Sequence, residues 1–414
     1  MPLPVTWRKK TIRCDLPVRL AVVAAKINLE TGGGSHYSLL LYTTGLRGLG
    51  TDVEVYSLKR SSAATEEIFA RAGVPLHPLD GLEPAAQVAR LGMVRCDVLM
   101  ADDPLPLAYH VKRAYPERCV VAHINTLSGF CTEPGHQQRG CWLTCNHWDR
   151  VRHHSGGAAR RLKYLVTGSA VVADLADGFR SLDGCIFPSP QTADAYRVYG
   201  LDRARCFVVP ECLDVDHITR FRAAPFASSD APLTVLYVGT LAQYKGLSLL
   251  FDALRRLGRP WRARIYGDGE DRGRVLDFAR EFPGQVDYRG HVTNRDLFAE
   301  LDRGDFLFVH PCLWFEALGR GILEAMVLGI PVLVPDVGGP SWSVTAGKTG
   351  LHYRHRDAAD LARRIEWAAA HPTEVRTMAE AGREAARQYD YRPVSAQWRE
   401  TLASIARGAH ANAS

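Results

Sequence analysis

Short apolar runs and helical patterns alternate along this chain from about residue 18 to its end, which restricts it to parallel α/β architecture. Runs at 19–26, 52–58, 96–101, 119–124, 185–188 and 206–209 read as strands, with a helix expected over 35–46. A polar, proline-bearing stretch, 223–232, then breaks the pattern and is the linker candidate. A second series starts at Leu233, with strands expected at 234–239, 263–266, 286–288, 306–309 and 331–334. Helices are expected over 358–370, 375–388 and 393–406. A chain of 414 residues exceeds a single core. Two domains of about 200 residues each are therefore the natural division. The expected boundaries are a frayed extension at 1–16, an N-terminal domain at 17–222, the linker, a C-terminal domain at 233–390 and a last segment at 391–414.

Composition narrows the classes. A hydrophobic fraction of 46% supports two real cores and excludes a disordered chain. The apolar run at 20–25 is too short for a secretory signal, and no run approaches a membrane-spanning length. The ten cysteines form no dense framework, so a cytoplasmic protein with reduced or metal-bound thiols is expected. A net charge of +6 decides little, but Arg150, Arg152, Arg160, Arg161 and Lys163 cluster beside histidines. That cluster reads either as a solvated helix face or as a surface attracted to anionic lipid or an anionic acceptor, as at the inner face of a membrane. No nucleic-acid-binding module accompanies the charge, so nucleic acid is not an expected partner.

Glu316 and Glu324 stand eight residues apart around a strand–loop–helix junction. The run 306–309 reads as a strand, Gly319 opens a helix running to about Leu328, and a buried strand follows at 331–335. One acid thus lies on the loop at a strand's carboxyl end, the edge where open parallel sheets bind ligands. The other lies inside the helix. The helix start offers free amides and partial positive charge to a phosphate, and two flanking carboxylates can accept hydrogen bonds from sugar hydroxyls. This is the chemistry of a nucleotide-sugar site. The loop Thr31-Gly32-Gly33-Gly34-Ser35 follows the first strand and lets backbone approach a ligand, with Gly33 and Gly34 as the close contacts. Its spacing fails the G-x-G-x-x-G dinucleotide pattern, which speaks against a nicotinamide-dependent dehydrogenase.

The segment 314–334 resembles the E-x7-E region of family 4 glycosyltransferases, and 236–247, with its Tyr244-Lys245-Gly246 turn, resembles that family's first C-domain strand and Lys-Gly turn. The resemblance implies a retaining enzyme with the GT-B fold: two Rossmann-like domains facing each other across a cleft, with a C-terminal helix crossing back to the N-terminal domain. It implies a nucleotide-sugar donor held by the C-terminal domain. The acceptor, held by the N-terminal domain, would be a polysaccharide, a lipid-linked glycan or a small natural product. By resemblance, Glu316 takes the donor sugar's hydroxyls and Glu324 the ribose diol, while amides near Leu318, Gly319 and Arg320 face the diphosphate. Lys245 stabilises charge on the leaving diphosphate. Gly239 and Thr240 line the donor, the Gly267-Asp268-Gly269 loop flanks the base, and strand-ending His123 contacts the donor sugar or the acceptor near the reacting carbon.

The chain departs from the family in three places. Thr240 stands where an arginine is usual, with Arg320 a candidate substitute; Ile124 stands where an Asp often follows the histidine; Trp342 replaces a common acid. Asp214-Val215-Asp216 mimics a metal-binding D-x-D, but that site belongs to another glycosyltransferase fold, so these acids are expected to be structural, with no cofactor required for catalysis. Cys131, Cys141, Cys145 and His147 offer ligands for a structural zinc, although C-x9-C-x3-C-x-H fits no standard pattern. Zinc binding and simple buried or free thiols both stay open. The rival functions are a GT-B UDP-sugar epimerase and a non-catalytic sugar-nucleotide binding protein.

Overall fold

The computed structural model describes residues 19–30, 34–103, 105–125, 173–196, 200–226 and 232–413. Gly33, the Cys131, Cys141, Cys145 and His147 set, and the basic cluster from Arg150 to Lys163 lie outside them.

The first half is built on a seven-stranded sheet in the order β3-β2-β1-β4-β5-β6-β7. Its strands are β1 (Arg19–Ala24), β2 (Asp52–Ser57), β3 (Leu76–Pro78), β4 (Val98–Asp102), β5 (Val120–His123), β6 (Gly184–Phe187) and β7 (Cys206–Val208). The second half has six strands, ordered β10-β9-β8-β11-β12-β13. These are β8 (Leu233–Val238), β9 (Trp261–Tyr266), β10 (Val286–Gly290), β11 (Leu307–Val309), β12 (Val332–Pro335) and β13 (Leu351–Tyr353). Every pairing in both sheets is parallel. Parallel sheets need cover on both faces, which is why the strands read as near-continuous apolar runs. In β1, Ala21 and Val23 enter one core while Leu20, Val22 and Ala24 enter the other.

Each sheet reverses its winding once, between β1 and β4 and between β8 and β11. A crevice opens at such a point beyond the carboxyl ends of the strands. The two switch points therefore fix where ligands can bind.

Two strands, β3 and β13, lie outside the runs expected from the sequence. Each has only three residues, and β3 is a half-exposed edge strand with no alternation to reveal it. The stretch expected to link the halves is not all linker. Ala223 and Phe226 are buried with the second half, Ala223 N–H donates to the Leu328 carbonyl, and Val215 and Ile218 already join that core.

The last helix, Tyr391–Ala413, returns to the first half as expected. Val394, Trp398 and Leu402 share its core with Leu39, Tyr42 and Leu46 of α1 (Gly34–Gly48), and Tyr42 stacks on Trp398 at 4.9 Å. The crossover is pinned where Leu213 N–H donates to the Tyr389 carbonyl and Tyr391 N–H to the Leu213 carbonyl, each at 2.8 Å.

Candidate functional site

At the second switch point, β8 and β11 deliver Lys245 and Glu316 to one place. After β8 the chain makes a short turn, Gln243–Lys245; after β11 it loops through 310–319. Lys245 Nζ donates to Glu316 Oε2 at 2.6 Å, and Trp314 Nε1 donates to the same oxygen at 3.0 Å. The ammonium also lies 4.9 Å from the Trp314 ring centroid and 5.6 Å from that of Tyr244. His310 Nε2 stands 3.7 Å from Glu316 Oε2, beyond hydrogen-bond reach.

Burial by itself would raise the Glu316 carboxyl, but the Lys245 charge and nearby His310 outweigh it and hold the group far below the ordinary carboxylate range. Burial would likewise lower Lys245, and the Glu316 charge reverses this and raises it. Burial lowers His310, and Glu316 only partly opposes that. The result is a fixed ion pair at the sheet's carboxyl edge. His310, Cys312 and Glu316 are close enough together to hold a cation, and the Lys245 ammonium supplies positive charge at that carboxylate.

Glu316 leads directly into the Arg320–Leu328 helix. Gly319 caps it with φ 90°, and no side chain caps the first turn. A left-handed residue here favours glycine; Ile322 N–H turns back to the Gly319 carbonyl at 2.9 Å, and the amides before it precede any intrahelical acceptor, so they suit an anion. Leu318 anchors the turn in the core. The Val337-Gly338-Gly339 turn packs behind it, where Gly339 N–H donates to the Glu316 carbonyl at 2.9 Å. Gly267 and Gly269 have φ of 128° and 154° and place the β9 loop against the Gly239 and Leu241 carbonyls. Thr240 is exposed beside them. Trp342 stands near the crossover, 6.5 Å from the Tyr389 ring.

Arg320 spans the two halves. Its Nη1 donates to the Cys212 carbonyl at 2.7 Å and to Ser38 Oγ at 2.9 Å, while its Nε donates to Glu324 Oε1 at 2.8 Å. Gly34 leaves room for it, because a Cβ there would overlap the Arg320 side chain. Glu324, Arg320, Gly34 and α1 thus come together. The guanidinium expected to substitute for an arginine at Thr240 is engaged in these contacts.

His123 ends β5 and is buried. The carboxylate missing at Ile124 comes instead from Asp102, the register partner of His123 on β4. Asp102 Oδ1 lies 2.7 Å from His123 Nδ1 and accepts from Asn125 Nδ2 at 3.0 Å. His123 Nε2 has no hydrogen-bond partner among the described residues. Glu211, which no motif flagged, lies within electrostatic reach of both Arg320 and His123. Burial pushes its carboxyl up, opposed by the charge of Arg320, and Ser38 Oγ approaches it at 3.4 Å. Asp214 and Asp216 do separate structural work: the first caps a short helix through His217 N–H at 3.0 Å, and the second pairs with Arg392 at 2.7 Å.

Asp103 gives a pH prediction. Burial, then the adjacent Asp102 charge, pushes its carboxyl up to about 7, against about 4 in an unfolded chain. The native state therefore keeps a proton that the unfolded chain has lost, and this contribution to stability disappears as pH rises from about 4 through 7. Asp103→Asn tolerates the φ of 64° and is expected to flatten the fall in Tm between pH 5 and 8. Parallel Tm profiles for variant and wild type would contradict it.

Two doubly wound parallel sheets with a C-terminal helix returning to the first define a GT-B glycosyltransferase fold. The structure of Anabaena HepE in complex with UDP has the same architecture, with a TM-score of 0.69 at 18% identity over 93% of this chain and all of that one. Residues 220–385 match the family model described as Glycosyl transferases group 1, so this part of the chain is a domain of that kind. A D-inositol 3-phosphate glycosyltransferase of Gordonia bronchialis is 25% identical over 91% of this chain and 86% of its own length. A glycogen synthase of Mycobacterium tuberculosis is 28% identical over 44% of this chain, and the match spans less than half (46%) of that relative. No helix among the described residues is long and apolar enough to cross a membrane.

Proposed function

We propose that this protein is a retaining glycosyltransferase that moves a hexosyl unit from a UDP- or GDP-sugar to an acceptor hydroxyl. The observation that carries the reading is the Lys245–Glu316 pair beside the Arg320 helix start, at the switch point of the second sheet. The diphosphate rests against the amides of Leu318, Gly319 and Arg320; Glu316 takes the sugar's hydroxyls, and Glu324 the ribose diol. The bond from the anomeric carbon to the diphosphate breaks with its electron pair leaving on phosphate oxygen. Lys245 and the helix start stabilise that charge. The acceptor oxygen bonds to the same face of the sugar, and its proton passes to the departing phosphate. Asp102 holds the His123 ring at the facing edge.

The UDP complex of the structural neighbour supports the nucleotide class. A thermal-shift screen against UDP-, GDP- and dTDP-sugars, followed by NMR of the product's anomeric centre, tests the reading. Stabilisation by a UDP- or GDP-sugar and a product with the donor's anomeric configuration are expected. Inverted configuration would overturn retention, and stabilisation by none of the three would overturn the donor site.

A further inference from the structure

We propose that Arg320 couples recognition of the donor's ribose to contact with the N-terminal half, acting as a positioning residue for Glu324. This rests on the reading of Glu324 as the ribose acid. Arg320 holds Glu324 through Nε on one oxygen, Oε1, and Oε2 has no bond to it. A carboxylate fixed in this way can accept from the diol with its second oxygen. The same guanidinium reaches out of its own half, through Nη1, to the Cys212 carbonyl and Ser38 Oγ. Its planar fork sets both directions at once, which a lysine ammonium cannot do. The Arg320 side chain is only 11% exposed and Glu324 13%, so water competes little for these bonds.

Two further features belong to the same device. Gly34 lacks the Cβ that would block the guanidinium stem. Glu211, beside Ser38, places a carboxyl near Arg320 from the N-terminal side. Ribose binding at Glu324 and closure of the two halves therefore favour one another. Each stabilises the same Arg320 conformation, and by linkage the coupling is reciprocal.

The test uses titration calorimetry of UDP and GDP, each compared with its 2′,3′-dideoxy analogue, on wild type, Arg320→Lys and Ser38→Ala. Wild type is expected to prefer the ribose form. Arg320→Lys, which keeps the charge, is expected to weaken ribose-nucleotide binding at least about tenfold and to erase most of that preference. Ser38→Ala, in the opposite half, is expected to weaken the same nucleotide about threefold and narrow the preference. Tm measurements confirm that both variants fold. If both keep the wild-type preference, the coupling is overturned while the donor reading stands. If wild type itself shows no preference for the ribose form, the reading of Glu324 falls, and the coupling with it.

Discussion

Lys245→Ala is expected to lower transfer turnover at least about a hundredfold, the scale of removing one preorganised charge that stabilises a leaving group. Among the described residues Lys245 is the cation nearest Glu316, at 2.6 Å, in a pair whose side chains are only 20% and 14% exposed. Removing it leaves the carboxylate with the Trp314 Nε1 donor at 3.0 Å and the weaker Cys312 Sγ donor at 3.9 Å. Breaking a buried pair from one side costs about 3–5 kcal/mol, so stability should fall as well. The double variant Lys245→Met/Glu316→Gln separates the two effects. With both charges gone, most of the stability should return, whereas turnover should stay at the level of the single variant or lower. Steady-state kinetics beside urea unfolding reads both quantities. Near-wild-type turnover in Lys245→Ala would remove this residue from the reaction.

Gly339→Ala is expected to destabilise the protein by at least about 2 kcal/mol, at the upper part of the range for overpacking. Its φ of −58° is ordinary, so the cost is not backbone strain. The added methyl would overlap the Ala317 carbonyl and press on Leu318 Cα. These are backbone atoms that cannot swing aside. The same Ala317 carbonyl accepts from Ser189 Oγ at 2.7 Å and Thr192 Oγ1 at 3.2 Å, both in the first half. Moving it disturbs the junction of the halves and tilts the residues carrying Glu316 and the helix start. A lower urea midpoint together with weaker nucleotide-sugar binding is the expected pair of results. A variant with wild-type stability and binding would show that the loop relaxes freely.

The features set by local pattern were readable from the chain. Buried parallel strands announce themselves as apolar runs, and the helix predicted over 358–370 lies where the structure has Ala358–Ala370. Gly319 at the helix start was readable because a left-handed cap wants glycine. What depended on pairing between distant segments was not readable. Asp102 meets His123 only because β4 and β5 align in one register, across 21 residues. Nothing near Ile124 signalled that a carboxylate would come from the neighbouring strand, although an acid closing the apolar run 98–101 was a usable hint. Glu211 and His310 belong to no spacing pattern, and their surroundings arise from the fold. Lys245 and Glu316 were both expected at one cleft, but their direct pairing across 71 residues follows from no spacing pattern. Arg320 was expected near the diphosphate because of its place at the helix start; its engagement with Ser38 and Cys212 needed the first half in position.

The most direct test of the donor site is a crystal structure of the protein with a bound UDP- or GDP-sugar. Phosphate oxygens about 3 Å from the amides of residues 318–320 are predicted, with sugar hydroxyls on Glu316 and the ribose on Glu324. Nucleotide bound away from the Arg320 helix start, or Glu316 and Glu324 both turned from it, would contradict the account.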